Sequence, residues 1–156
     1  MWTQTPEGDQ FVREVSKQLV SKFAPEELEI FDELYSDYQK HPVPPQAERG
    51  ADDPLGSGLG EVIVAVTPAA SAMATAVVSF VVSEVIKASQ AEASETIKSK
   101  VKAVFNPKAP ENAAPLSPDQ LEKVRKLAAK RAVDFGLSPE KAKQMSLALV
   151  GSLSIR

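Results

Sequence analysis

Residues Val62–Ser83 read VIVAVTPAASAMATAVVSFVVS, twenty-two residues with no charge between Glu61 and Glu84. As a helix rising about 1.5 Å per residue, such a run is about 33 Å long and matches the hydrocarbon core of a bilayer. Its composition pulls the other way. Seven valines, one isoleucine, one phenylalanine and one methionine share the run with six alanines, five serines or threonines and Pro68. Strongly apolar residues add only about −0.3 to −0.6 kcal/mol each to insertion, so the segment is a marginal span. The hydroxyls fall at Thr67, Ser71, Thr75, Ser79 and Ser83, one every four residues. On a helix this is a slowly winding stripe of small polar groups, with Ala70 and Ala74 beside it. It suits close helix–helix contact, or hydroxyls bonded to their own i−4 carbonyls.

Pro68 divides the reading. EVIVAVT, Glu61 to Thr67, is rich in β-branched residues and reads as a short strand or separate turn, with Thr67 as N-cap of a helix that begins at Pro68. Downstream no breaker intervenes: Val85, Ile86, Ala88, Ala93, Ile97, Val101, Val104 and Phe105 keep helical spacing among charged residues. The central block is therefore expected to be one long helix within residues 61–105, apolar at first and amphipathic later. Lys87, Lys98, Lys100 and Lys102 give its later part a basic face, a candidate contact for an anionic membrane surface or an ordinary solvated face.

Working outward, residues 41–60 (HPVPPQAERGADDPLGSGLG) hold four prolines and four glycines and read as a linker, and residues 106–117 hold a second Pro-rich break. Upstream, residues 1–40 predict an acidic helical hairpin. Thr5-Pro6-Glu7 opens a helix carrying Phe11, Val12, Val15, Leu19 and Phe23. Ala24-Pro25-Glu26-Glu27 opens another carrying Leu28, Ile30, Phe31, Leu34, Tyr35 and Tyr38. Residues 118–156 predict a second hairpin. Leu116-Ser117-Pro118-Asp119 is echoed by Leu137-Ser138-Pro139-Glu140, each with Ser as N-cap and Pro at the first helical position. Ser117 and Gln120 fit a capping box, and Gly136 fits a left-handed C-cap. The first helix would present Leu121, Val124, Leu127, Ala128 and Phe135, and the second Met145, Leu147, Leu149, Val150 and Leu153. The fold class is thus all-α: about five helices, with a central apolar helix flanked by two amphipathic hairpins.

Charge is uneven. Residues 1–60 carry twelve acidic and five basic side chains, a balance of −7, and residues 61–156 carry nine and thirteen, a balance of +4. If the central segment spanned a membrane, the positive-inside rule would export the acidic block, which lacks the basic and apolar features of a secretory signal. The expected location is cytoplasmic, or the inner face of the membrane. A DNA-reading helix-turn-helix using Lys123, Arg125, Lys126, Lys130 and Arg131 is disfavoured, because the second helix offers few base-reading side chains.

No catalytic or ligand motif emerges. The single histidine, His41, stands beside Pro42 with no cysteine or second histidine to complete a zinc site. Gly56-Ser57-Gly58-Leu59-Gly60 lacks the Gly-Lys-Ser/Thr of a phosphate loop. Glu26, Glu27, Glu29, Asp32, Glu33 and Asp37 lack EF-hand spacing and read as a solvated face at the start of a helix. No enzymatic activity, cofactor, metal or small-molecule substrate is expected.

Two readings of function remain. One is a non-enzymatic helical protein that works by helix packing and associates with, or conditionally inserts into, a membrane through residues 62–83. The other is a soluble adaptor or oligomerisation module with a protein partner or a second copy of itself. In outline the arrangement resembles small helical proteins, such as pore-forming effectors, that hide an apolar helix until they insert. Leu149-Val150-Gly151-Ser152-Leu153 also resembles the short docking peptides by which cargo proteins enter encapsulin shells. That resemblance implies a minor alternative, encapsulated cargo, although the same residues complete an amphipathic helix.

Overall fold

The computed structural model describes residues 5–40, 66–89, 94–105 and 116–151. Among them the chain is all-helical: α1 (Pro6–Phe23), a 3-10 turn (Pro25–Ile30), α2 (Phe31–Lys40), α3 (Val66–Ser89), α4 (Ser94–Val104), α5 (Pro118–Asp134) and α6 (Pro139–Gly151). The linker at 41–60, with His41 and the Gly56–Gly60 run, lies outside the described residues. So do the EVIVA segment before Val66, most of the 106–117 break, and Leu153.

α1, α5 and α6 each start where their own side chains cap them. At α1 the Thr5 hydroxyl accepts from the Gly8 amide at 3.1 Å, with Pro6 at the first position. At α5 the Ser117 hydroxyl accepts from the Gln120 amide at 3.2 Å, while the Gln120 side chain accepts from the Ser117 amide at 2.8 Å, so the capping box is complete. At α6 the Ser138 hydroxyl accepts from the Lys141 amide at 3.2 Å. Between the last two, Gly136 takes φ 100°, in the left-handed region that a Cβ disfavours, and its amide and that of Leu137 bond back to Val133 and Ala132.

α3 lies at the centre and packs against α1, α2, α4 and α5. Ala69, Ala70, Met73, Ala74, Val77, Val78, Val81 and Val82 are all 0% exposed, on several sides of the helix, which is why the sequence there shows no polar face. α1 contributes Val12, Val15, Leu19 and Val20 to the same core. α4 contributes Ile97, Val101 and Val104, and α5 contributes Val124, Ala128 and Ala132. α6 packs on α5 through Ala142, Met145 and Leu149 and also touches α1, closing the bundle. Leu147, expected on the inner face, is 49% exposed, because the buried stripe of α6 follows Ala142, Met145, Ser146 and Leu149 instead.

Three expectations are corrected. α3 begins at Val66, so Thr67 is its second residue rather than its N-cap, and Pro68 is the third, where a missing N–H still costs no intrahelical bond. The single long helix over 61–105 is two helices, α3 ending at Ser89 and α4 starting at Ser94, and the two pack on each other as one straight rod never does. Burial of Ile97, Val101 and Val104 against the core is the tertiary gain that overrides continuous helical propensity. Finally, residues 25–30 form a 3-10 turn rather than the first turns of α2, leaving Ile30 46% exposed.

Candidate functional site

The hydroxyl stripe of α3 and the two ends of that helix form the most elaborate polar arrangement among the described residues. Steps of four residues advance about 40° around a 3.6-residue helix, so the stripe winds. Thr67 and Ser71 are fully buried, whereas Thr75, Ser79 and Ser83 are half-buried. The Ser71 hydroxyl donates to the Thr67 carbonyl at 2.8 Å and the Thr75 hydroxyl to the Ser71 carbonyl at 2.7 Å, each satisfying itself within its own helix. Among the described residues the stripe reaches other elements at two points: Thr67 donates to Glu27, and Thr75 accepts from the Tyr38 hydroxyl at 3.3 Å.

The Glu27 contact is the one that sequence reading missed. This side chain leaves the acidic face of the 3-10 turn and straddles the start of α3. Its Oε2 accepts from the Val66 amide at 2.8 Å, and its Oε1 accepts from the Thr67 amide at 2.8 Å and the Thr67 hydroxyl at 2.7 Å. A carboxylate here neutralises orphan amides and faces the positive end of the helix dipole. At the other end of α3, Glu84 accepts from the Gln120 side chain at 3.0 Å, so the capping glutamine of α5 also ties α3 to α5.

Around this axis the N-terminal block is held by aromatic and polar contacts. The Tyr35 hydroxyl donates to Asp9 Oδ1 at 3.0 Å, and Gln39 donates to the same carboxylate. The Arg13 guanidinium pairs with Asp32 and lies 5.9 Å from the Phe31 ring centre and 5.8 Å from that of Tyr35. Burial pushes the Tyr35 hydroxyl well above the ordinary tyrosine range, and the Asp9 carboxylate that accepts its proton adds to the effect. Tyr38 is raised by burial too, partly offset by its bond to Thr75 and by Arg131. The Tyr38 ring sits 5.8 Å from that of Phe135, so the end of α2 meets the end of α5.

The four lysines of the expected basic face do not share one environment. Lys87 and Lys102 are exposed and Lys100 is half-buried, while Lys98 lies 3.9 Å from Glu7 of α1. Lys98 and Lys102 line a cleft of about 260 Å³ opposite Glu7 and Glu14, floored by Phe11, which stacks edge-on against Phe105 at 5.1 Å. On α5, Arg125 is bonded to Glu122 and Lys130 to Asp134, so part of that basic face is already paired within its own helix. Leu149, the first residue of the docking-peptide resemblance, is 2% exposed in the core, and Gly151 ends α6. Among the described residues no group of three or more His, Asp or Glu side chains is placed to hold a metal ion.

Comparison of the chain with protein-family models, with curated proteins and with solved structures gives no match.

Proposed function

We propose that this chain works by helix–helix packing rather than by catalysis, as an adaptor or self-associating module with α3 as the internal post on which its other helices are mounted. The observation that carries this reading is the burial of most of α3 between Ala69 and Val82, with α1 and α5 against it. A resident span would turn much of that surface to lipid, whereas here it supplies the largest part of the protein's own core. The cytoplasm is the compartment this reading favours. The test is recovery: the chain stays in the soluble fraction without detergent and runs as a defined oligomer or with a co-purifying protein. Sedimentation with membranes after carbonate washing overturns the reading.

A second reading, conditional membrane insertion, draws on Val66–Lys87, which is long and apolar enough to cross a bilayer while 61% of its most apolar window is buried. Flotation of the purified protein with anionic vesicles tests it. Co-flotation that survives a carbonate wash supports insertion, and absence of flotation sinks it.

A further inference from the structure

The first amides of α3 are met by a side chain from another element. The residue that precedes Val66 is alanine, which has no side-chain acceptor, whereas α1, α5 and α6 use their own Thr5, Ser117 and Ser138. Among the described residues, three bonds at the start of α3 end on one carboxylate, Glu27, which lies 39 residues before Val66. A second contact from the same block, Tyr38 to Thr75, grips α3 two turns further on. The stretch between these two contacts is the small-residue half of the helix, with Ala69, Ala70, Ala72 and Ala74. The larger side chains Val77, Val78, Val81 and Val82 lie beyond it, towards the Glu84 tie to α5. Alanine buries far less apolar area than valine, so the first half of α3 has less of its own packing to hold it.

We infer that the 3-10 turn and α2 form a removable clasp on α3, with Glu27 as its catch. While the carboxylate is seated, the first turns of α3 are closed. When it is unseated they open locally, laying bare Ala69, Ala70 and Met73, while the Val-rich half stays with α5. This rests on the reading of α3 as a helix that works by packing, and it places the control of that packing at one side chain.

Amide hydrogen exchange on the full chain, in the absence of lipid, tests the clasp separately from the solubility and flotation experiments. In Glu27→Gln, the amides of Val66 and Thr67 lose protection and those of Ala70 to Thr75 exchange about tenfold faster, while those of Val124 to Ala132 are unchanged. Thr67→Val, which removes one of the three bonds, gives a smaller change in the same amides, and Glu26→Gln gives none. Unchanged exchange at Ala70 to Thr75 in Glu27→Gln overturns the inference. Faster exchange in all helices together, or outright unfolding of both Glu27→Gln and Thr67→Val, overturns it too, since a catch releases one end of a helix and not the whole bundle.

Discussion

The C-terminal hairpin and the central helix are both well-formed helical structure, yet they are ended in opposite ways. In α5–α6 both helix starts and the turn between them are set by residues close in sequence: Ser117 with Gln120, Gly136 at its positive φ, and Ser138. In α3 the first boundary is set by Glu27 from another block. A locally capped element carries its instructions with it. A remotely capped one is correct only after the tertiary structure has formed, so its ends report on the docking of its neighbours.

The severest challenge to this contrast is Val81→Asp, which places a carboxylate where the side chain is fully buried. The expected loss exceeds about 4 kcal/mol, and circular dichroism during heating should show no cooperative transition. A variant that keeps its cooperative unfolding would mean that α3 is not the post of the bundle. Next comes alkaline unfolding. Both tyrosines of the chain are raised from the ordinary value of 10.0, so their neutral forms are favoured in the folded state. The stability they contribute is complete below pH 10.0 and is lost above it, as the unfolded chain ionises first. Tyrosinate absorbance should therefore rise together with loss of helix; a rise that precedes any loss of helix would mean the hydroxyls are open to solvent.

Glu27→Ala follows, at about 2 to 3 kcal/mol by urea denaturation, because it leaves two backbone amides and a hydroxyl without their acceptor. Ser117→Ala and Gly136→Ala are each expected to cost only about 1 kcal/mol, since each disturbs a single local device. Should the Ser117 variant cost as much as the Glu27 variant, the distinction between local and remote capping would carry no energetic weight. Smallest is Lys98→Ala, within about 0.5 kcal/mol, since its pairing with Glu7 is long and partly solvated.

The same distinction decides what could be read from the sequence. Ser117-Pro118 with Gln120, Gly136-Leu137 and Ser138-Pro139 act within a few residues, and each does in three dimensions what its spacing announces. The fold class was equally legible, because helical periodicity and prolines at helix starts are local signals. Thr67 before Pro68 carried an equally good local signal for an N-cap, yet its hydroxyl turns to Glu27 and the helix begins two residues earlier, at Val66. Glu27 itself stood among five other acids and looked like part of a solvated face. The fold-back of α4 was hidden for the same reason, since Ile97 and Val101 read as the continuing stripe of one helix. The stripe residues Thr67, Ser71 and Thr75 were singled out by spacing, but which of them would reach another helix depends on how far the stripe has wound.

The 39-residue interval between Glu27 and Val66 also has a temporal side. α2 ends at Lys40 and α3 at Ser89, so on a ribosome adding about 5–20 residues per second the N-terminal block waits several seconds for the helix it caps. Through that interval Phe31 and Tyr35 have no central helix to cover them. The C-terminal hairpin, made of neighbours in sequence, assembles as fast as it emerges. Biosynthesis thus hands this bundle its lid first and its post second, and the block most exposed to premature association is the acidic one, whose like charges keep nascent copies apart.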